Sequence, residues 1–323
     1  MTILLEQAGL GPDGLTADAR GIVRLLGGPG TGKSSLLVEL AAARIAAGAD
    51  VESVLLLTGS GRPATATRAR LTTALLAARP GLAVVREPLV RSPHGYAFAL
   101  LARAAQRAGD PAPRLITGTE QDGIIRELLA GDAADGADYW PASLRPALAT
   151  AGFATELRDL LARCAERGLD ATDLRRLGKS TRRPAWVAAG RFAQQYEQVM
   201  LLRAAVGMAA PQATIPALGA AEMIGAAADL LQTDPDLLDA ERARLSTLLV
   251  DDAQHLDPQA VRLIRLLAPG PELTVIAGDP NQTAFGFRGA SPELLLQDTD
   301  DPVIELHTSY RCAGPVADAV TAV

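Results

Sequence analysis

The sequence predicts an α/β fold in which a parallel β-sheet is interrupted by a mostly helical inserted subdomain. Short apolar runs of strand length alternate with amphipathic runs of helix length over roughly the first hundred residues. The strand pattern then fades until Leu245, where it returns. Strands that alternate with helices are typical of a parallel sheet, so one sheet with an insertion fits this order better than two independent domains.

The elements can be placed in order along the first part of the chain. Ile22–Leu26 reads as a short buried strand and Ser34–Ala47 as an apolar-rich helix. The alternation then continues through a strand, a helix, a strand and a helix, at Glu52–Leu57, Thr65–Ala78, Leu82–Arg86 and His94–Ala108.

The middle of the chain predicts helices, and the last part returns to strands. Gly and Pro residues separate amphipathic segments of helical length at Glu120–Leu129, Glu156–Glu166 and Ala188–Leu202. Apolar strand-like runs follow at Leu245–Val250, Leu273–Ala277 and Val303–Leu306.

Composition excludes several classes of protein. The chain has 31 Lys+Arg against 37 Asp+Glu, a net charge of −6, which argues against a strongly basic nucleic-acid coat but leaves room for a local basic groove. No uncharged apolar run approaches membrane-spanning length, and Met1–Leu10 lacks the basic region of a signal peptide. Cys164 and Cys312 are too few for a disulfide framework. We therefore expect a cytoplasmic protein with no membrane partner.

The segment Gly27–Ser34 fits the phosphate-binding pattern G-x-x-x-x-G-K-[ST]. It lies between a predicted strand and a predicted helix, as a P-loop requires. Glycines allow backbone N–H groups to turn inward around phosphate oxygens, and a helix N-terminus favours anions. Lys33 would reach the β- and γ-phosphates and Ser34 would hold Mg²⁺. Lys33 and Lys179 are the only lysines in this arginine-rich chain, which suggests that a compact ammonium is needed at Lys33.

The segment Leu248–Asp252 is an apolar run that ends in two carboxylates. A buried strand would carry Asp251 to the edge of the sheet, where it can hold Mg²⁺. Asp252 could then polarise an attacking water. The same pattern also marks ordinary helix N-caps. The interpretation of Leu248–Asp252 as a metal-binding strand end therefore depends on the P-loop upstream.

The segment Gly278–Ala290 reads GDPNQTAFGFRGA. It resembles motif III of the UvrD/Rep-type superfamily 1 DNA helicases, roughly GDxxQSIYxFRGA. Val250–Gln254 is similar to the VDExQ motif of that family. Three further segments resemble its motifs Ia, Ib and IV, namely Leu57–Ser60, Ser92–Gly95 and Leu306–Arg311. Within the family, the P-loop context and the helical middle are similar to the actinobacterial AdnA-like branch, which works in double-strand break processing, so DNA repair is expected.

The resemblance implies a RecA-like P-loop NTPase that hydrolyses MgATP while it moves along single-stranded DNA. It implies catalytic roles for Lys33, Asp252, Gln282 and Arg311, with Gln282 sensing the γ-phosphate and Arg311 acting as an arginine finger. Mg²⁺ would be held by Ser34 and Asp251. The implied ATP-binding residues are Gly27, Gly28, Pro29, Gly30, Thr31, Gly32, Lys33, Ser34, Ser35 and Tyr310, the last stacking on adenine.

The resemblance also implies a DNA-binding track that includes Thr58, His94, Phe287 and Arg288. Phe287 would stack on bases, although a core aromatic is an alternative. A helix-capping or packing role is the alternative for His94. Single-stranded or partly duplex DNA is the expected partner, and a second helicase/nuclease subunit is a further candidate.

The predicted domains follow from the strand and helix pattern together with this resemblance. Residues 1–108 and 232–305 would form the RecA-like ATP-binding domain, and residues 109–231 the helical insertion subdomain. Residues 306–323 would begin a truncated second motor domain, because the sequence contains no match to motifs V and VI of the family. Weak or no activity of the isolated chain is therefore expected.

A basic patch lies in the predicted insertion. No acidic residue occurs between Leu174 and Tyr196, and Trp186 lies among the cations Arg175, Arg176, Lys179, Arg182, Arg183 and Arg191. The patch could bind nucleic-acid phosphates, or it could be an ordinary solvated surface.

Departures from the family pattern keep other functions open. Asp252 replaces the usual Glu, His255 the usual Asp and Gly59 the motif Ia aromatic. Asp252, Gly59 and the missing motifs V and VI favour a non-motor ATP- and DNA-binding module, or an inactive truncated fragment that regulates or completes a partner. A P-loop kinase of a small molecule would explain Gly27–Ser34 but not Gly278–Ala290.

Overall fold

The computed structural model describes residues 15–59, 62–78, 87–207, 217–296, 300–311 and 313–316. The chain divides into two compact units. We call one the sheet unit; it comprises Met1–Tyr96, Leu231–Gly286 and Ala290–Val323. We call the other the helical unit; it comprises Ala97–Leu230 and Phe287–Gly289.

The sheet unit is built on a six-stranded parallel sheet with the strand order β3-β2-β6-β7-β1-β8. The strands are β1 (Gly21–Gly27), β2 (Val54–Leu57), β3 (Val90–Arg91), β6 (Thr247–Val250), β7 (Leu273–Gly278) and β8 (Val303–Leu306). Every residue of β2, β6 and β7 is buried, as expected for parallel strands covered on both faces. The predicted α/β parallel sheet is therefore confirmed.

Helices surround this sheet. They include α1 (Lys33–Ala46), α2 (Arg62–Ala78), α9 (Pro235–Arg244), α10 (Pro258–Leu267) and the short α11 (Glu293–Leu296). The start of α10 shows why a helix begins where it does, because Asp257 Oδ1 accepts the Ala260 N–H and proline occupies the first helical position. Its buried residues Val261, Ile264 and Leu267 recur at helical spacing and form the face turned to the core.

Strand register places the important loops at one edge of the sheet. Leu26 in β1 lies opposite Gly278 in β7, and Val250 in β6 lies opposite Ile276 in β7. Because the strands are parallel, the segments that follow β1, β6 and β7 all leave the sheet at its carboxyl edge.

The helical unit has its own core. Its helices are α4 (Gly118–Ala134), α5 (Ala151–Glu166), α6 (Ala171–Ser180) and α7 (Pro184–Gly207), and the division between units falls within α3 (Pro93–Ala108) and α8 (Ala220–Thr233). Trp140, Phe192 and Tyr196 are the large side chains buried at its centre. Side-chain caps begin three of the helices: Thr117 for α4, Thr150 for α5 and the capping box Asp170/Asp173 for α6.

Helices α6 and α7 form a tight hairpin in the helical unit. A Cβ added to Gly178 would lie 2.7 Å from the backbone nitrogen of Val187, and one added to Gly190 would lie 2.8 Å from the carbonyl oxygen of Ala171. Between the helices, Arg182 adopts a left-handed conformation with φ 55°. The missing side chains of two glycines therefore let the two helices approach closely.

Most predicted elements agree with the structure to within a few residues. The strand predicted at Leu82–Arg86 lies outside the described residues, as does Cys312. The structure also contains elements that the sequence analysis did not place, namely helices α6, α8, α9, α10 and α11, strand β3 and a further pair of two-residue strands. These strands, β4 (Arg114–Leu115) and β5 (Ala217–Leu218), are too short to show a period-two pattern. The predicted domain bounds remain a prediction.

Among the described residues, no helix combines the length and the apolar character needed to cross a membrane.

Replacing Gly178 with Ala tests the close helix approach in the hairpin. Gly→Ala inside a helix ordinarily stabilises by up to about 1 kcal/mol. At Gly178 we expect a loss of about 1–3 kcal/mol instead, because the new methyl would overlap the backbone of Val187. Gly123→Ala in α4 is the matched control, since nothing lies within 4 Å of its added Cβ. The midpoint of thermal unfolding should rise in Gly123→Ala and fall in Gly178→Ala. A Gly178→Ala variant more stable than the wild type would contradict the close approach of the two helices.

Candidate nucleotide and nucleic-acid site

The loop between β1 and α1 holds its lysine by its own backbone. Lys33 Nζ donates to the carbonyl oxygens of Gly27 and Gly28, the latter at 3.0 Å. Thr31 Oγ1 donates to the same Gly28 oxygen. A Cβ on Gly27 would lie 2.6 Å from Thr31 Oγ1, so this position requires glycine. The loop Gly27–Gly32 therefore curls around the Lys33 ammonium, at the N-terminus of a long helix.

Two electrostatic effects act on the pKa of Lys33 in opposite directions. The side chain is buried, and this burial lowers the pKa of Lys33 because a charged ammonium loses its hydration. The carboxylates of Asp279, Asp252 and Asp251 act against that shift, in this order of strength. The lysine thus lies in a pocket of negative charge that would favour a cation.

Asp251, at the end of β6, is the most perturbed carboxyl of the site. Burial, followed by the neighbouring charge of Asp252, raises the pKa of Asp251 to about 6. A hydrogen bond from the Ser34 hydroxyl partly offsets this effect. Ser34 and Asp251, predicted as the Mg²⁺ pair, are thus in direct contact.

The donor set fits Mg²⁺ rather than a metal held by protein alone. Mg²⁺ is usually bound by one or two carboxylates together with phosphates and water. Ser34 and Asp251 supply one hydroxyl and one buried carboxylate beside the P-loop. In the part of the chain that the structure describes, no group of three or more His, Cys, Asp or Glu side chains is arranged to hold a metal.

Asp252 begins a tight turn after β6. It has φ 53° and ψ 41°, a left-handed conformation that Asp tolerates better than most residues. Its N–H donates to Asp251 Oδ1 at 3.0 Å, and its own side chain makes no capping bond to the helical turn Ala253–His255. The helix-capping alternative for this carboxylate pair is therefore not supported.

Gln254 ties the ends of β6 and β7 together. Its Oε1 accepts the Asp279 N–H at 3.1 Å, and its Nε2 donates to Asp252 Oδ1 at 3.4 Å. A Cβ on Gly278 would lie 2.7 Å from Gln254 Oε1, so glycine is required where the two segments cross. Gln254 thus links the residue expected to polarise water with the segment that carries Gln282.

The segment after β7 turns immediately. Asp279 is buried and its Oδ1 accepts the Asn281 N–H at 2.9 Å, while its carbonyl oxygen accepts the Gln282 N–H at 3.2 Å. The turn leaves the Gln282 side chain exposed. Farther along, Phe285 packs edge-on against His255 with ring centroids 5.1 Å apart.

The segment after β8 lies directly on the P-loop. Ser309 Oγ donates to the Pro29 carbonyl oxygen at 2.8 Å, and the Tyr310 N–H donates to the Gly30 carbonyl oxygen at 3.0 Å. Gly30 has φ 76°, and a Cβ there would lie 2.5 Å from the Cβ of Arg311. Arg311 is close enough to lower the pKa of Lys33 further. The predicted arginine and adenine-stacking tyrosine, Tyr310, therefore flank the loop.

Ser35, predicted to bind ATP, has a different partner. Its hydroxyl accepts a hydrogen bond from Arg70 in α2. The bond joins the first turn of α1 to the neighbouring helix.

The predicted DNA-binding residues fall in both units. In the sheet unit, Thr58 is only 2% exposed, and its Oγ1 has no hydrogen-bond partner among the described residues. His94 is partly buried in the first turn of α3. Ser92 caps this helix, because Ser92 Oγ accepts the Gly95 N–H. Phe287 and Arg288 belong to the helical unit.

Phe287 is not a core residue, since its side chain is 63% exposed. Arg288 forms an ion pair with Glu166 at 2.8 Å. An exposed ring beside a fixed guanidinium is an arrangement on which a nucleobase can stack.

The basic patch divides into engaged and exposed cations. Arg191 stacks over Tyr139 and Arg183 over Trp186, each with its guanidinium carbon 4.5 Å from the ring centroid. Arg176 pairs with Asp173 at 2.8 Å. Lys179 and Arg182 are exposed at the tip of the α6–α7 hairpin.

Sequence reasoning missed several residues that shape the site. Gln254 matched a motif but was given no role, and Asp279, Ser309 and Glu166 were not singled out. The position of Asp279 at a strand end was a usable signal. The roles of Ser309 and Glu166 depend on contacts with residues far away in the chain.

Replacing Asp251 with Asn should stabilise the Mg²⁺-free protein. The pKa of Asp251 is raised in the folded state, so ionisation of this carboxyl lowers the free energy of unfolding. This cost is absent below about pH 4, where the carboxyl is protonated in both states, and is complete once the pH has risen through about 6. We expect Asp251→Asn to raise the free energy of unfolding by on the order of 2 kcal/mol at pH 8, and by about 1 kcal/mol less at pH 5.

Urea unfolding in the presence of a chelator measures this difference. Asp234→Asn is the control, because Asn caps helix α9 about as well as Asp at this exposed position. An Asp251→Asn variant that is less stable at pH 8, or that gains equally at both pH values, would show that burial of the charge is not the cause.

Several DNA helicases are similar in sequence to part of this chain. The chain is 31% identical over 106 residues to DNA helicase II of Escherichia coli, which covers 32% of this chain and 15% of that protein. It is 28% identical over 102 residues to a putative ATP-dependent DNA helicase, YjcD, of Bacillus subtilis, covering 30% and 13%. A third relative, one subunit of an ATP-dependent helicase/nuclease of Lactococcus lactis, is 30% identical over 98 residues, covering 28% and 8%. The matched segments thus span only a small part of these curated relatives.

The family comparison covers much more of the chain. Residues 14–302 match the model of the UvrD/REP helicase N-terminal domain. This range contains the P-loop, the two carboxylates after β6 and the whole of Gly278–Ala290. The chain therefore belongs to the UvrD/REP helicase N-terminal domain family.

Proposed function

We propose that this chain binds and hydrolyses MgATP and couples the hydrolysis to movement along single-stranded DNA, as the ATP-binding part of a helicase or translocase. The observation that carries the proposal is the convergence of Lys33, Asp251 and the Gln254–Asp279 link at the carboxyl edge of one sheet. Family membership supports the same function.

Phosphate binding would begin with Lys33. Its ammonium now donates to the carbonyl oxygens of Gly27 and Gly28. An incoming triphosphate offers stronger, charged acceptors, so Lys33 would turn from its own loop to the β- and γ-phosphates. The N–H groups at the start of α1 would complete the cradle.

Ser34 and Asp251 would hold the metal ion. Mg²⁺ bound there would neutralise charge that develops on the phosphate oxygens. Metal binding would also remove the electrostatic penalty at Asp251, because a cation favours the ionised carboxylate. The electrostatics of this site therefore favour MgATP over ATP alone.

Asp252 is the candidate for orienting the attacking water. Aspartate is shorter than the glutamate usual at this position by about one methylene, and a misplacement of about 1 Å can reduce a rate roughly a hundredfold. The bond from Gln254 Nε2 holds the Asp252 carboxylate toward the β7 end. Gln282, exposed in the turn after β7, would contact the γ-phosphate, and Arg311 would stabilise the transition state.

The DNA contacts would come from exposed aromatic and basic groups. Phe287 would stack on a base, which typically contributes about 1–3 kcal/mol per base without regard to sequence. The cations at the tip of the α6–α7 hairpin would add contacts to backbone phosphates, partly duplex DNA included. In the sheet unit, Thr58 and His94 would contribute to binding of the single strand.

A second candidate is a non-motor ATP- and DNA-binding module that regulates or completes a partner. The aspartate at position 252 is the observation that favours it, because a shorter carboxylate can permit binding while hydrolysis is slow. One relative is named a helicase/nuclease subunit, so a second helicase/nuclease subunit is the partner that we propose to test first.

ATP turnover by the purified chain, with and without a single-stranded oligonucleotide, separates these functions. For the helicase function we expect turnover that is weak in the isolated chain, rises with DNA and falls to background in Lys33→Ala, because the phosphate ligand is lost. Lys179→Ala, at the only other lysine, removes a proposed DNA contact but no phosphate ligand of ATP. It is therefore the control for DNA-free binding of MgATP, which it should retain.

Each other outcome has a distinct meaning. Binding of MgATP and DNA without turnover would favour the non-motor module. Turnover that responds to a small-molecule acceptor but not to DNA would contradict the helicase function. Binding of neither ligand would contradict both candidates.

A further inference from the structure

A buried carboxylate lies at the end of helix α5. Glu166 is the last residue of α5, and its side chain is 2% exposed. One oxygen, Oε2, accepts from Arg163 Nη1 at 2.5 Å. The other, Oε1, accepts from Arg288 Nε at 2.9 Å and lies 2.8 Å from Arg288 Nη2. A single carboxylate thus binds two guanidinium groups, one of which belongs to Arg288, the residue that follows Phe287 in the chain.

The same turn of α5 also holds Phe287. The guanidinium carbon of Arg163 lies 5.3 Å from the centroid of the Phe287 ring. Arg167 Nη2 donates to the Phe287 carbonyl oxygen at 2.8 Å, and Arg167 Nη1 donates to the Arg163 carbonyl oxygen at 3.3 Å. The ring is therefore fixed through its backbone, through its neighbour Arg288 and through one of its faces.

This arrangement differs from ordinary packing because the ring stays exposed. A side chain that is 63% accessible gains little from burial, yet several charge-assisted contacts fix its position. A base-stacking surface needs both properties, a fixed ring and an open face. A cation against one face of an aromatic ring adds attraction without covering the other face.

We propose that Glu166 is a positioning residue that fixes Phe287 for nucleobase stacking by holding Arg163 and Arg288. The end of α5 is then part of the DNA-binding surface, although Glu166 itself touches no nucleotide. The inference rests on the proposed DNA-binding function and deepens it. Without the Glu166 carboxylate, two guanidinium groups would lie close together with no shared counterion, and the Arg163 contact with the ring would be lost.

A double-mutant cycle between Glu166 and Phe287 tests this role. The probe is a fluorescently labelled single-stranded oligo-dT, and the readout is its dissociation constant for the wild type, Glu166→Gln, Phe287→Ala and the double variant. We expect Glu166→Gln to weaken binding about tenfold in the wild-type background and less than about twofold in the Phe287→Ala background. A merely structural role would weaken binding equally in both backgrounds.

Controls separate positioning from loss of folding. Glu127→Gln breaks an exposed ion pair with Arg203 elsewhere in the helical unit, away from the basic patch, and should leave DNA affinity unchanged. DNA-free binding of MgATP should be the same in Glu166→Gln as in the wild type. If Glu166→Gln fails to fold, Arg167→Gln removes the bond to the Phe287 carbonyl and enters the same cycle, with the same dependence on Phe287 expected.

The failures are distinguishable. If Phe287→Ala alone leaves the affinity for oligo-dT unchanged, Phe287 does not stack on bases. Both the proposed DNA contact and the positioning role of Glu166 are then overturned. If Phe287→Ala weakens binding but Glu166→Gln has no effect, or has the same effect in both backgrounds, the DNA contact stands and the positioning role is overturned.

Discussion

The site depends on one constraint, the parallel register that brings the ends of β1, β6 and β7 to the same edge of the sheet. Leu26 lies opposite Gly278 and Val250 opposite Ile276, so the P-loop, Asp251 and Asp279 follow from three neighbouring strands. A shift of one residue in β6 would turn Asp251 to the other face of the sheet. Because β6 and β7 are buried on both faces, their packing fixes this register.

The constraint has an electrostatic consequence. Several charged groups, Lys33 and Asp251 among them, are held close together in a poorly hydrated site. Burial acts on both groups in the direction that disfavours their charged forms. A site of this kind stores unfavourable free energy that a bound anion and cation would relieve together. The need for glycine at Gly27 and Gly278 has the same origin, since side chains there would overlap the groups that converge.

The sequence predicted the parts of this site that are local in the chain. The P-loop lies between a strand and a helix, and the two carboxylates follow a buried strand, because each pattern reflects one element and its boundary. The sequence could not predict which side chains meet across the fold. Gln254 contacts Asp279 and Glu166 contacts Arg288 over separations of 25 and 122 residues, and no local pattern marks such a pair. The two-residue strands β4 and β5 were missed for the same reason, since only their pairing defines them.

One segment contributes to both units of the chain. Asp279 and Phe285 pack in the sheet unit, whereas Phe287 and Arg288 pack in the helical unit on the end of α5. The continuous motif Gly278–Ala290 therefore carries its candidate nucleotide contacts and its candidate base-stacking ring in different compact units. The exposed Phe287 is therefore held in position by arginines and a buried glutamate of the helical unit rather than by the sheet.

Calorimetric titration of a non-hydrolysable ATP analogue, with Mg²⁺ and with a chelator, tests the central claim most directly. If Lys33, Ser34 and Asp251 converge as the structure shows, Mg²⁺ should tighten binding at least about tenfold in the wild type. The same titration of Asp251→Asn should show little dependence on Mg²⁺, because the buried carboxylate that holds the ion is gone. Equal affinity with and without Mg²⁺ in the wild type, or an undiminished Mg²⁺ effect in Asp251→Asn, would contradict a metal-nucleotide site at this edge of the sheet.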